Sequence, residues 1–317
     1  MPEAVTVEID AQYRQLREEC GVLDRSNRGK LLVTGSEAAE YLQGQLTNDI
    51  EALAAGEGCY AALLDRKGHM QADMRVLVVD GEKVWVDTEP EAMAAAKRHL
   101  EMYKIGRDAD VVDAGDERAI VSLIGPRSAE LAGSSPLPEY CHEEIAVEGI
   151  ECPAVGTALG IDLIPRAEDR ERLIAALADA GAPEVSAEAA EIVRIESGVP
   201  RFGNEMDTTT MPAEAGIVER AVNFEKGCYI GQETVARLHY KGKPNRHLRG
   251  LRLSALAAPD ATLSLGEKEV GRLGGSCVSP AHGPIGLAIV RREAEPGVEL
   301  FVGEDGVTAR VVDLPFG

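Results

Sequence analysis

Beyond Gly242 the chain divides into short apolar stretches at residues 248–253, 268–273, 285–290, 298–302 and 308–314. Turn signals lie between them, among them Gly274-Gly275, Glu295-Pro296-Gly297 and Glu304-Asp305-Gly306. Stretches this short read as strands, and strands punctuated this regularly must pair among themselves to satisfy their backbones. This part of the chain is therefore restricted to a small β-barrel or sandwich.

The preceding sequence mixes both periodicities. Residues 30–34 read as a strand and 37–47 as a helix. Strands over 59–64, 73–79 and 83–87 follow, the last two joined at Asp80-Gly81, which makes a three-stranded antiparallel run. Pro90 opens a helix to Tyr103 that Ile105-Gly106 stops. A second series has strands over 119–123, 144–147, 151–155 and 160–164, with helices after Gly125-Pro126 and over 168–180 and 186–195. The first thirty residues contain acids and lack the apolar core segment of a signal peptide. This order predicts an α+β fold of antiparallel sheets with helices. No Gly-x-Gly-x-x-Gly follows a strand, so a Rossmann cofactor is not expected.

At 317 residues the chain exceeds what one core supports. The composition change places a boundary between residues 1–243, expected to hold two interleaved α+β subdomains, and a C-terminal β-barrel domain over 244–317. Neither a signal peptide nor a run of apolar residues long enough for a membrane is legible, which makes the cytoplasm the expected location and excludes a membrane partner. With 54 acidic against 33 basic residues the net charge is −21, which argues against nucleic acid as a partner. One segment opposes that trend: residues 237–252 hold six Lys or Arg, two His and no acid. It suits a small anionic ligand or tail, and equally a solvated linker between domains.

The six cysteines form no Cys-x-x-Cys pair, and their spacing fits neither zinc nor a self-contained iron–sulfur cluster. Five of them read as reduced structural thiols. The sixth, Cys228, lies in Lys226-Gly227-Cys228-Tyr229-Ile230-Gly231-Gln232-Glu233. Two glycines four residues apart bracket the thiol, so the backbone can turn sharply on both sides of it. Lys226 and the start of a short helix over 232–238 are both expected to favour its thiolate. A small buried hydrophobe in a tight loop is the alternative reading of the same residue.

This octet, continued by Thr234-Val235-Ala236-Arg237, resembles the signature of the YgfZ family of folate-binding proteins, relatives of the glycine-cleavage T-protein (aminomethyltransferase). Further resemblances lie in Asp24-Arg25-Ser26-Asn27-Arg28-Gly29-Lys30, in Leu42-Gln43-Gly44-Gln45-Leu46-Thr47-Asn48-Asp49, and in Arg194-Ile195-Glu196-Ser197-Gly198. T-proteins typically have aspartate at the position of Cys228 and an Asp-Asp pair where this chain reads Ala72-Asp73. The resemblance implies a T-protein-like folate-binding unit with a small barrel, tetrahydrofolate or a one-carbon derivative as cofactor, and a role in iron–sulfur cluster assembly or repair. Iron–sulfur enzymes or cluster carriers would then be partners.

The resemblance makes Cys228 and Asp73 the groups expected to do chemistry, and Glu196, Asn48, Asp73, Arg237, Lys226 and Tyr229 those expected to hold the folate. A carboxylate such as Glu196 can accept both adjacent N–H donors of a pterin ring, although it could also cap its helix or pair with Arg194. Asn48 and Asp49 could equally cap a turn. Arg237 and Lys241 are expected at the mouth of the folate cavity. Two further readings stand beside the accessory role: an aminomethyltransferase passing a one-carbon unit to tetrahydrofolate, and a folate-binding sensor or scaffold without chemistry.

Overall fold

The computed structural model describes residues 6–317. In chain order its elements are α1 (Val7–Glu18), β1 (Gly21–Asp24), β2 (Gly29–Thr34), α2 (Ala38–Gln45), β3 (Gly58–Leu64), β4 (Met70–Asp80), β5 (Lys83–Thr88), α3 (Pro90–Tyr103) and β6 (Asp110–Asp113). There follow β7 (Val121–Ile124), α4 (Ser128–Ala132), β8 (His142–Val147), β9 (Ile150–Thr157), β10 (Gly160–Leu163), α5 (Arg170–Asp179), α6 (Ala187–Glu196), α7 (Val218–Ala221) and α8 (Gln232–Lys241). The last six strands are β11 (Arg246–Leu253), β12 (Thr262–Leu265), β13 (Lys268–Ser279), β14 (Gly283–Arg291), β15 (Glu299–Val302) and β16 (Val307–Val312).

These strands make one sheet in the order β1-β7-β10-β9-β8, a second in the order β3-β4-β5-β2-β6, and a closed barrel β11-β14-β13-β12-β15-β16. The fold class is thus α+β, with antiparallel sheets, helices and a C-terminal barrel. The β4–β5 hairpin closes between Asp80 and Lys83, and Val84, Trp85 and Val86 are all buried, as befits a strand covered on both faces. Helix α3 starts at Pro90, whose missing N–H is no loss at that position, and buries Ala92, Ala96 and Leu100 along one stripe. Ser186 caps α6 by accepting from the Ala189 N–H at 3.2 Å.

Three features differ from the sequence expectation. Residues 7–24, to which the sequence reading gives no element, form α1 and β1: α1 buries Ile9, Tyr13 and Leu16, spaced by four and three residues among charges, against α6 residues Ala189 and Ile192 and barrel residues Cys277 and Leu287. Strands β6 and β12, four residues each, are too short and polar to stand out in the sequence. Gly274-Gly275 is not a turn but lies inside β13 at a register shift between Leu273 and Ser276. A Cβ on Gly274 would stand 2.7 Å from Glu205 Cγ, and one on Gly275 would stand 2.8 Å from Glu205 Oε1. The Gly275 N–H donates to that same oxygen at 2.8 Å. The glycines admit a buried carboxylate against the barrel backbone, a use of glycine that a turn signal mimics.

Leu77 and Trp85 of the second sheet meet Val155 of the first and Ile164 just beyond it in a small cluster that holds the two sheets together. Beside this cluster the sheets part to leave the central cavity.

Candidate functional site

The cavity has a volume of about 200 Å³ and is lined from both sheets, with α7 and the segment after α6 completing its wall. Across β3 and β4, Tyr60 stands directly opposite Arg75, and Asp73 lies two residues before Arg75 on the same strand. The period of a strand therefore puts Asp73 and Arg75 on one face. Both line the cavity, as does Tyr60.

The Tyr60 hydroxyl donates to Asp73 Oδ2 at 2.7 Å, while Asp73 Oδ1 is buried without a partner. Burial pushes the Asp73 carboxyl up to about 6; the Tyr60 hydrogen bond pulls against this, the Glu89 charge adds to it and Arg28 opposes it. The result is a carboxyl that titrates just below neutral, suited to hold or release a proton on a bound molecule.

Beside Asp73 the cavity floor is an ion network. Arg75 donates from Nε to Asp87 Oδ2 at 2.7 Å and from Nη1 to Asp162 Oδ2 at 2.7 Å, joining the two sheets. Asp87 also accepts from Trp85 Nε1 at 3.0 Å and from Arg28 Nε at 3.0 Å. Asp162 accepts from the Ser122 hydroxyl at 2.6 Å. Burial opposes the charge of Asp87, but Arg75 and Arg28 outweigh it and hold its carboxyl down at about 2. Arg75 Nη2 alone among these groups has no partner.

The wall beside Asp73 is aromatic. The Tyr60 and Tyr140 rings lie 6.4 Å apart at an interplanar angle of 11°. Arg220 stands over the Tyr60 ring, 5.4 Å from its centroid, and donates to the Tyr140 hydroxyl at 2.7 Å and to Glu139. Tyr140 has a φ of 67°, a left-handed conformation that costs a bulky residue free energy. Its N–H is fixed to the Gly156 carbonyl at 2.8 Å, and its own carbonyl would stand 2.8 Å from a Cβ at Gly58. A ring held against its local preference by close-packed glycines is the mark of a positioned side chain.

A family model for the GCVT N-terminal domain matches residues 2–226, a span that contains every cavity residue named above. The chain belongs to the GCVT N-terminal domain family. The aminomethyltransferase of Rubrobacter xylanophilus is 29% identical over 97% of this chain and 86% of its own length. The aminomethyltransferase of Synechococcus sp. (strain RCC307) is also 29% identical, over 96% of this chain and 89% of the relative. In fold, the chain is similar to the glycine cleavage system aminomethyltransferase T from Bartonella henselae, with a TM-score of 0.87, 21% identity, and 98% and 89% of the two chains covered.

Within this GCVT-type fold, the residues expected from sequence to share one site are dispersed. Asp73 is in the cavity wall. Asn48 is one layer behind it: its Nδ2 donates to the backbone carbonyls of Tyr60 at 2.8 Å and Arg220 at 3.0 Å, and its Oδ1 accepts from the Asp49 N–H. Its amide thus ties down the backbones of two cavity residues.

Glu196 is outside the cavity wall. Its carboxylate is 3% exposed and accepts from the Ser279 hydroxyl and from the Tyr13 hydroxyl at 3.2 Å, with Arg17 Nε at 3.9 Å, while its backbone carbonyl accepts from the Phe316 N–H. It fastens α6 to α1, the β13–β14 turn and the C-terminal segment. Arg194 does line the cavity: two residues apart on a helix means about 200° of rotation, so Arg194 and Glu196 cannot face the same space.

Lys226 does not sit beside the thiol as an activating cation. Its Nζ is buried and donates to the carbonyls of Gln43 at 2.6 Å, Leu46 at 2.6 Å and Asn48 at 2.8 Å, closing the end of α2. Tyr229 is buried in the core of the second sheet, its ring centroid 5.2 Å from that ammonium. Between these two buried anchors Cys228 is exposed, the only exposed thiol of the six. Gly231, at a φ of 85°, then turns the chain into α8 under the Asp65 carbonyl.

Arg237 lines a separate groove of about 460 Å³ with Lys241 and Lys243, not the cavity mouth. Nor is the basic run a linker: it is the end of α8, a short connection and β11, with Arg246 paired to Glu214 at 2.7 Å. Cavity residues given no role from sequence include Arg28, Tyr60, Arg75, Tyr140 and Arg220. Of these, Arg75 was within reach, since it continues the alternating polar positions His69, Gln71 and Asp73.

Among the described residues, no group of three or more His, Cys, Asp or Glu side chains is placed to hold a metal ion, and no helix is long and apolar enough to cross a membrane.

Proposed function

We propose that this chain binds a reduced folate with its pterin ring in the central cavity, and that it serves iron–sulfur cluster assembly or repair through the exposed Cys228. The observation that carries the folate reading is Asp73: a buried carboxyl with one unpartnered oxygen, beside two near-parallel tyrosine rings, in a chain of the GCVT N-terminal domain family. A pterin offers N–H donors at its edge and a flat face for aromatic contact, so the wall chemistry fits. Asp73 would accept from the ring or a nearby amine, Tyr60 would hold Asp73 in orientation, and Arg220 would fix the Tyr140 ring.

The accessory role is supported by the way Cys228 is held. A structural cysteine would be buried like Cys20, Cys152 and Cys277, whereas this one is carried outward between buried Lys226 and Tyr229. Cys228→Ser nearly preserves volume, so the variant should fold and bind tetrahydrofolate like the parent. Its support of iron–sulfur enzymes in a deletion strain should be lost; full support would remove the thiol from the function.

Aminomethyl transfer is the second reading, favoured by the name and near-complete overlap of the relatives. Release of the one-carbon unit from a purified aminomethyl-lipoyl carrier to tetrahydrofolate distinguishes the two. Turnover dependent on Asp73 and indifferent to Cys228→Ser would establish transfer in place of the accessory role.

A further inference from the structure

The network around Arg75 has a single gap. Its Nε and Nη1 are fixed by Asp87 and Asp162, and those carboxylates are held in turn by Trp85, Arg28 and Ser122. Arg75 itself is only 6% exposed and lines the cavity, yet Nη2 has no acceptor in the protein. Leaving a buried guanidinium donor unmatched is costly, so such a gap asks for an acceptor from outside the chain.

Charge decides what kind of acceptor. The guanidinium already faces two carboxylates, and Asp87 is shared with only one further arginine, Arg28, which also pairs with Glu89. Two carboxylates thus already compensate this one guanidinium, so a further carboxylate or phosphate at Nη2 would meet Asp87 and Asp162 at close range, where a neutral carbonyl oxygen would not be repelled. Two residues away on the same face, about 7 Å along the strand, Asp73 Oδ1 has the opposite need, an N–H donor.

We infer that Arg75 is a specificity-determining residue: with Asp73 it selects a ring whose edge carries a neutral carbonyl near an N–H, as in an oxo-pyrimidine. This rests on the folate reading for its choice of probe, and it assigns the ring carbonyl of the pterin to Arg75 Nη2.

The test is calorimetric titration with tetrahydrofolate and with the analogue in which the ring carbonyl oxygen is replaced by an amine, turning an acceptor into a donor. The ring-carbonyl form should bind at least tenfold more tightly. In Arg75→Lys, which keeps the charge but cannot present a third fixed donor, that preference should fall toward unity. If this variant does not fold, as its melting curve would reveal, the ligand pair on the parent protein still decides. Equal binding of the two ligands by the parent overturns the inference while leaving the folate reading intact. A preference undiminished in a folded Arg75→Lys also overturns it. Binding of neither ligand overturns both.

Discussion

Asp73→Asn should make the protein more stable while weakening its ligand binding. Folding raises the Asp73 carboxyl from its ordinary 3.8 to about 6, so the fold disfavours the ionised form. At 1.36 kcal/mol per unit that difference is about 3 kcal/mol. The sign follows from the raised value: below about pH 4 the group is protonated in both states and there is no penalty. The penalty grows between about 4 and 6 and is full above 6. Asparagine removes the charge and keeps a carbonyl oxygen to accept from Tyr60, the partner that Asp73 Oδ2 now has. Urea denaturation at pH 7 should therefore show Asp73→Asn more stable by about 1–3 kcal/mol, the lower end allowing for a weaker bond to a neutral acceptor. At pH 4 the two proteins should nearly coincide. A variant less stable at pH 7, or a stability difference that does not change between the two pH values, would refute the reasoning that burial makes this carboxyl costly.

Further expectations concern the residues placed outside the cavity. Cys228 should be the first of the six thiols alkylated at neutral pH, as read by peptide mass spectrometry, because burial pushes Cys59 and Cys277 up to about 12 and Cys20 and Cys152 to about 11, whereas Cys228 is exposed. Cys141 is half-buried, and prior labelling of any of the other five would contradict the expectation. Lys226→Met leaves three carbonyls without their donor and should cost about 3 kcal/mol in denaturant unfolding, whereas a loss under 1 kcal/mol would show the anchor to be dispensable. Glu196→Gln should lower stability by about 1–3 kcal/mol through its contacts with Tyr13 and Ser279, with folate affinity unchanged. A tenfold loss of affinity in that variant would return Glu196 to the ligand.

What the sequence made legible was mostly local. Pro90 and the apolar spacing behind it marked α3 to the residue, and Asp80-Gly81 marked the β4–β5 hairpin, because in each case the signal and the structure lie within one element. The site was legible only where one strand carries it: Asp73 is in the wall, and Arg75 follows from the same alternation. What joins Arg75 to Asp162 is a pairing across 87 residues and two sheets, which no local pattern encodes. Lys226 and Glu196 lie away from the cavity wall for a common reason. Each lies beside a motif residue in sequence, but the loop sends the lysine inward to α2 and the helix turns the glutamate away toward α1. Gly274-Gly275 shows the same limit, since a pair of glycines in sequence does not say whether the chain turns or another group approaches it.

The most direct test of the central claim is a calorimetric titration of tetrahydrofolate into the parent protein, Asp73→Asn and Glu196→Gln side by side. Binding in the cavity predicts saturable binding to the parent, weakened at least tenfold in Asp73→Asn by loss of a charge-assisted hydrogen bond and unchanged in Glu196→Gln. Absence of saturable binding to the parent, or weakening in Glu196→Gln with Asp73→Asn unaffected, would contradict it.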